Sequence, residues 1–197
     1  MNRIAASLVV FTLLLQCSSA LAASASLSAS MKPIPVGQPF PDISFNGPMT
    51  DAELEGLGLK PGAGGFRLPD VRGQAVILVV FSMYCPFCQK EAPELSKMHE
   101  MIKAKGLEGK LVLAGLGAGN SPYEVGVFRD KFKLAFPLIP DQDFTAYKGL
   151  GQVGTPYYYV LKRDGKGFTI VDSQLGCVAS AETFLENVLA KTGLKGK

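Results

Sequence analysis

Two cysteines, Cys85 and Cys88, are separated by only two residues, Pro86 and Phe87. An apolar run precedes them and a helical pattern follows, so Cys85 is expected at the N-terminus of a helix, where free amides and the helix dipole favour a thiolate. A thiolate attacks disulfides, and a second cysteine one turn deeper can release the bound partner. The spacing therefore predicts a redox pair with Cys85 as nucleophile, Cys88 as resolving thiol and a Cys85–Cys88 disulfide in the oxidised state.

Other interpretations of this pair stay open on the residues alone. A purely structural disulfide would stabilise little, because closing so short a loop restricts the unfolded chain only slightly. A zinc site would need two more ligands, and the only candidates are Cys177 and His99. With Met83 the pair forms M-x-C-x-x-C, a soft-ligand pattern that suits Cu(I). Covalent haem is excluded, because Gln89 stands where that motif needs histidine.

The segments around the pair alternate between predicted strands and helices. Residues 75–81 are continuously apolar and rich in β-branched side chains, which is typical of a strand buried on both faces. The pattern further predicts a helix over 86–105, a strand over 111–114 ending in a glycine-rich loop, helices over 123–133 and 144–148, a hairpin of 157–161 with 168–171, and a terminal helix over 180–191. The core order β-α-β-α-β-β-α predicts an α/β fold with a central mixed sheet flanked by helices.

Composition excludes several classes of protein. The 197 residues are 47% hydrophobic and 19% charged, which is a globular composition and not a disordered or collagen-like one. A net charge of +3 is too small and too evenly spread for a nucleic-acid-binding surface. We therefore expect a folded domain without a nucleic-acid partner.

Residues 1–22 have the layout of a secretory signal peptide. The basic Arg3 is followed by an apolar stretch and then by small residues that end in A-x-A at 20–22. The apolar stretch is shorter than the ~20 residues that span a bilayer as a helix. We predict cleavage before Ala23, export to the periplasm and no membrane span in the mature protein. Cys17 leaves a lipoprotein anchor as an alternative.

The rest of the chain divides by composition. Residues 23–32 are rich in serine and alanine and are predicted to be a linker, whereas residues 33–193 are predicted to form the folded domain. Within that domain, residues 33–73 are rich in proline and glycine. They are predicted to form an N-terminal β-hairpin extension with a short helix, which lies against a core of residues 74–193.

Five sequence motifs follow one another in a characteristic order. They are VGQPFPD at 36–42, LPDVRG at 68–73, CPFC at 85–88 with Glu91 and Pro93, FPLIPD at 136–141, and GTP at 154–156. Together they resemble the thioredoxin superfamily, and more closely its exported TlpA-type thiol-disulfide oxidoreductases, including those of cytochrome c maturation. The resemblance covers about residues 36–189 and implies a thioredoxin-like fold.

The resemblance also implies roles for single residues. Thr155–Pro156 is expected to be a cis peptide that faces the cysteines and presents backbone groups to an incoming peptide, with Pro86 and Phe87 also at the substrate. Glu91 matches a TlpA-type glutamate three residues after the second cysteine. At that helical spacing its carboxylate is placed to relay a proton to or from Cys88, the alternative being a solvated surface residue.

The sequence departs from the family in several places. Val79 stands where cytoplasmic thioredoxins have a buried aspartate, Tyr84 replaces the usual tryptophan, and residues 46–65 are an atypical insertion. Cys177, after the predicted hairpin, is expected to be a small buried apolar residue, with a third redox thiol or an oligomer bridge as alternatives.

These features predict an exported enzyme that exchanges the Cys85–Cys88 dithiol or disulfide with cysteines of other exported proteins. An upstream redox partner would recharge it, and no cofactor or metal is predicted. Because Phe87 cannot hydrogen-bond to the thiolate, a reductase or isomerase is favoured over a bulk oxidant. Two alternatives remain. One is a peroxiredoxin-like peroxidase, although residues 79–84 lack the P-x-x-x-T-x-x-C loop, and the other is a non-catalytic Cu(I)-binding thioredoxin-fold module.

Overall fold

The computed structural model describes residues 31–197, and Pro33–Lys197 form one compact unit. The predicted signal peptide, its cleavage site, Cys17 and most of the predicted linker lie outside the described residues. Within residues 31–197, no helix is both long enough and apolar enough to cross a membrane.

A five-stranded mixed sheet forms the centre of the domain. In chain order the elements are β1 (Ser44–Phe45), α1 (Asp51–Gly56), β2 (Phe66–Arg67), β3 (Ala75–Phe81), α2 (Pro86–Ala104), β4 (Leu111–Ala118), α3 (Pro122–Phe132), β5 (Leu138–Asp141), α4 (Thr145–Gly149), β6 (Tyr157–Asp164), β7 (Gly167–Leu175) and α5 (Ala181–Thr192). The strand order is β5-β4-β3-β6-β7. Strands β3, β4 and β5 are parallel, whereas β6 is antiparallel to both β3 and β7.

This topology places the cysteine motif at the middle of one sheet edge. Strand β3 is the central strand, all seven of its residues are buried, and the motif begins four residues after it ends. The carboxyl ends of β3, β4, β5 and β7 meet at the same edge, together with the start of β6. Loops from five strands therefore surround the cysteines.

The two faces of the sheet bury different parts of the chain. Helices α2, α3 and α5 supply buried side chains to one face, among them Met98, Phe128 and Leu185. The β1–β2 hairpin and α4 supply buried residues to the other face, including Phe45 and Ala146. The predicted hairpin extension is thus present, and helix α1 follows β1 within it.

Two parts of the sheet differ from the predicted core order. Leu138–Asp141 form a fifth strand, although prolines flank and interrupt it; an edge strand tolerates Pro140 because one side needs no ladder hydrogen bond. Strand β4 continues to Ala118, so its glycines are not in a loop. A Cβ atom on Gly115 would lie 2.7 Å from Leu138 Cδ2, and the glycine allows this close packing.

Helix α1 attaches residues 46–65, the predicted insertion, to the core. Thr50 caps the helix and forms a reciprocal capping box with Glu53. The Glu53 side chain then turns inward, is almost fully buried, and pairs with Arg129 of α3. Its carboxylate also accepts a hydrogen bond from the Leu138 amide at 3.4 Å. A single carboxylate thus links the insertion to α3 and β5.

Candidate active site

Cys85 is the N-cap residue of α2, and Pro86 occupies the first helical position. Proline is well suited to that position, because its φ is already helical and an amide hydrogen there would have no partner within the helix. The Cys85 amide donates to the carbonyl of Ser82 at 3.0 Å, which closes a turn between β3 and the helix. The turn leaves the Cys85 side chain partly exposed at the sheet edge.

The pKa of Cys85 lies below the ordinary value of a cysteine. Partial burial acts to raise it, but hydrogen bonds from the Thr155 side chain, from the Cys88 amide and thiol, and from the Phe87 amide together outweigh that burial. These are the amides that remain available once Pro86 contributes none. The structure therefore shows the direction of shift that the helix N-terminus predicts, with Cys85 favoured as a thiolate.

Cys88 has the opposite environment. Its side chain is 1% exposed, and burial raises the pKa of its thiol to about 12, with a further contribution from neighbouring Cys85. Both cysteines are free thiols here, so the structure shows the reduced pair. The arrangement gives one accessible thiol with a lowered pKa and one buried thiol with a raised pKa, which is the asymmetry required of an attacking and a resolving cysteine.

Two side chains to which the sequence patterns gave no structural role, Asn120 and Gln89, hold the turn before Cys85. The Met83 amide donates to Asn120 Oδ1 at 2.9 Å, and the Met83 carbonyl accepts from Gln89 Nε2 at 2.8 Å. Asn120 is fully buried and lies 37 residues away in the chain, so no local pattern marks its role. Together they fix the backbone that carries Cys85.

The Thr155–Pro156 peptide bond is cis, the geometry that the family resemblance implies. The Cys85 sulfur lies 3.3 Å from the Thr155 carbonyl oxygen, so this loop faces the cysteine. The Pro156 carbonyl in turn accepts from the Gly176 amide at 2.8 Å, which joins the loop to the end of β7. Phe87 is also placed at the site, with its ring largely exposed.

Glu91 is buried beneath the cysteines. Its side chain is only 2% exposed, which rules out the solvated-surface alternative. The carboxyl accepts hydrogen bonds from the Tyr158 hydroxyl and from the Val178 amide, the latter at 2.9 Å. The hydrogen-bond partners of Glu91 are therefore Tyr158 and the β7–α5 loop, and Cys88 is not among them. The sequence signal that bears on this contact is the period-two alternation of β6. It puts Tyr158 on the opposite face of the sheet from Tyr157 and Tyr159.

The expectation that Cys177 is a small buried apolar residue is wrong. Its side chain is partly exposed, and its sulfur lies 3.6 Å from the Phe87 carbonyl oxygen. The residue lies in the β7–α5 loop, which the Gly176 contact draws toward the active site. Partial burial and the nearby Glu91 carboxyl raise the pKa of Cys177. At neutral pH it is therefore a weaker nucleophile than Cys85.

His99 lies in the C-terminal half of α2, about three helical turns beyond Cys88. It is half-buried against Phe136, with ring centroids 5.9 Å apart, and burial lowers its pKa. Within residues 31–197, no three histidine, cysteine or acidic side chains are grouped to hold a metal ion.

Comparison with a library of protein families adds an independent observation. The model of the AhpC/TSA family matches residues 36–166, which is more than half of the chain and includes both cysteines. The chain belongs to the AhpC/TSA family. The matched segment also contains Glu91 and the cis proline, whereas Gly176, Cys177 and Val178 of the β7–α5 loop lie beyond it.

The chain is also similar in sequence to individual thiol-disulfide oxidoreductases. The thiol-disulfide oxidoreductase ResA of Geobacillus thermodenitrificans is 25% identical over 100 residues, which are 51% of this chain and 55% of ResA. This chain thus spans about half the length of that relative.

Solved structures show the same fold. The thioredoxin domain of a thiol-disulfide oxidoreductase from Bacteroides vulgatus superposes with a TM-score of 0.57 at 19% identity, over 79% of this chain and 99% of that one. StoA from Bacillus subtilis superposes with a TM-score of 0.51 at 23% identity, over 62% and 87% of the two chains. The domain therefore has a thioredoxin-like fold, as the sequence motifs predict.

Proposed function

We propose that this protein is a thiol-disulfide oxidoreductase that exchanges the Cys85–Cys88 pair with cysteines of other proteins. The observation that carries the proposal is the opposite shift of two neighbouring thiols. The pKa of the accessible Cys85 is lowered, whereas burial raises the pKa of Cys88 to about 12. Similarity to proteins named thiol-disulfide oxidoreductase supports it.

In the reducing direction the exchange has two steps. The Cys85 thiolate attacks one sulfur of a client disulfide, so a Cys85–client disulfide forms and the other client sulfur leaves as a thiolate. Cys88 then loses its proton and attacks Cys85, which forms the Cys85–Cys88 disulfide and releases the second client thiolate. Two electrons pass to the client, and an upstream dithiol partner restores the reduced pair.

Substrate binding is assigned to the groups that surround the Cys85 sulfur. The cis Thr155–Pro156 loop offers backbone groups within reach of an incoming peptide, and Pro86 and Phe87 follow Cys85 directly at the start of α2. The test is turnover of a protein disulfide, such as insulin, by the reduced domain. Absence of disulfide reduction by an intact, fully reduced protein would contradict the proposal.

The direction of exchange should depend on residue 87. Phe87 supplies an amide to the Cys85 thiolate, but its ring cannot hydrogen-bond to it. We expect a potential between about −270 and −120 mV, the thioredoxin and DsbA extremes, which favours a reductase or isomerase. Phe87→His adds a donor and is expected to make the potential less negative, as measured by equilibration with glutathione. An unchanged potential in Phe87→His would show that the side chain of residue 87 does not set the redox potential.

Glu91 is proposed to assist loss of the Cys88 proton as a buried carboxyl three residues further along α2, held in place by the Tyr158 hydroxyl and the Val178 amide. Glu91→Gln keeps an oxygen that can accept from Tyr158 and Val178, so the fold should persist. We expect attack by Cys85 at the normal rate and resolution by Cys88 slowed by about tenfold or more. Rapid-quench measurement of both steps from pH 6 to 9 checks this. Equal rates for both proteins would assign Glu91 a purely structural role.

Two alternative functions have distinct outcomes in the same assays. A peroxidase would consume hydrogen peroxide even after Cys88→Ser, whereas the exchange mechanism requires both cysteines for turnover. A Cu(I)-binding module would bind one copper tightly in the reduced state and reduce no protein disulfide.

Export to the periplasm is part of the proposal and rests on the signal-like residues 1–22. Detection of the processed chain in a periplasmic extract tests it.

A further inference from the structure

Large apolar side chains are concentrated at the sheet edge that carries Cys85. Within residues 31–197, eight large hydrophobic side chains are exposed, and five of them follow or end strands at this edge: Tyr84, Phe87, Tyr123, Phe144 and Leu175. Clusters of exposed apolar side chains commonly mark a surface that binds a partner. The concentration beside the reactive thiolate indicates where that partner lies.

Three of these side chains lie on the side of Cys85 away from the cis-proline loop. Tyr84 follows β3, Tyr123 follows β4 and Phe144 follows β5, on three adjacent strands. We name them the aromatic platform. The Tyr84 hydroxyl donates to Glu124, the neighbour of Tyr123, which fixes Tyr84 against the first turn of α3.

Phe144 is held at the platform at some conformational cost. Its φ is 60°, in the left-handed region that asparagine or glycine adopts more readily than an aromatic residue. Its ring lies over Gly119, where a Cβ atom would be only 2.2 Å from Phe144 Cζ. The ring is nevertheless 42% exposed, and Tyr123 is 80% exposed. Neither aromatic side chain is therefore explained by burial in the core.

We propose that the aromatic platform binds an apolar side chain of the client protein near the cysteine that reacts with Cys85. This inference rests on the proposed exchange function and names a feature of its substrate. Strands β3 and β5 are two strand spacings apart, about 10 Å, which an extended client chain covers in about three residues. The exposed aromatic rings favour an apolar client side chain, and the carboxylates of Glu124 and Asp143 beside them disfavour an acidic one.

The test compares three disulfide substrates. Two are peptides that differ only in having leucine or serine three residues on either side of the cysteine, and the third is glutathione disulfide, which is too small to reach the platform. The variant is Tyr123→Ser combined with Phe144→Asn, because asparagine tolerates the left-handed backbone. Val36→Ser, which removes another exposed apolar side chain far from Cys85 in the sequence, is the matched control.

We expect the unaltered protein and the Val36→Ser control to prefer the leucine peptide over the serine peptide by about tenfold in kcat/KM. The double variant should lose that preference while its rate with glutathione disulfide stays unchanged. Equal rates with both peptides for the unaltered protein would overturn the platform, as would a parallel loss with glutathione disulfide in the variant. Failure of the unaltered protein to reduce any of the three would instead refute the exchange function itself.

Discussion

Cys85→Ser is expected to abolish disulfide exchange, whereas Cys88→Ser should stop the reaction half-way and accumulate a mixed disulfide. The reason is the difference between the two thiols. Cys85 is accessible and its pKa is lowered, whereas a thiol with the pKa of about 12 found for Cys88 is ionised in only about one molecule in 10⁵ at pH 7. Turnover in either variant should fall by roughly a thousandfold or more.

The measurement is trapping of client adducts, resolved by non-reducing electrophoresis and identified by mass spectrometry. Cys88→Ser should carry adducts on Cys85, and Cys85→Ser should carry none. The reverse pattern would show that nucleophile and resolving thiol are assigned backwards. Cys177→Ser is the matched control, since it removes the third thiol and should leave turnover close to normal.

Alkylation across pH provides a second check of the same assignment. The reaction of Cys85 with iodoacetamide should rise with pH and level off above its lowered pKa, because only the thiolate reacts. Cys88 should stay unreactive until far more alkaline pH, and Cys177 should titrate above an ordinary cysteine. A single common titration for all three thiols would contradict the environments described for them.

The features that could be predicted from sequence are those encoded locally. The buried run Ala75–Phe81, the CPFC motif at its end and the terminal helix that begins after Ser180 are each defined by residues close together in the chain. Hydrophobic periodicity and capping residues determine such elements, because their main interactions are with near neighbours. The family motifs added the order of the elements and hence the thioredoxin-like fold.

The features that were missed depend on distant residues. Strand β5 is a strand only because Gly117 and its neighbours pair with it, and its own prolines argue against a strand. The burial of Glu91 depends on Tyr158, which is 67 residues away, and the turn at Met83 depends on Asn120. Cys177 lies beside Phe87, and its neighbour Gly176 binds the cis-proline loop. No local pattern contains these pairings.

The same distinction applies to residues 46–65, the predicted insertion, whose attachment includes one partly buried ion pair. Glu53 in α1 is 76 residues from Arg129 in α3, and its remaining acceptor capacity is used by Thr50 and the Leu138 amide. Arg129→Met keeps most of the side-chain packing but leaves the carboxylate buried without a positive partner. We expect a loss of about 3 kcal/mol in the free energy of unfolding, measured by urea denaturation.

Lys97→Met is the matched control, because it breaks the exposed Lys97–Glu182 pair, in which the two atoms are 2.6 Å apart. Exposed pairs contribute only about 0–1 kcal/mol, so that variant should unfold nearly as the unaltered protein does. Adding Glu53→Gln to Arg129→Met should recover part of the loss, since a neutral amide is less costly to bury unpaired. If Arg129→Met costs no more than Lys97→Met, residues 46–65 are held chiefly by apolar contacts such as those of Leu57, and the ion pair adds little to stability.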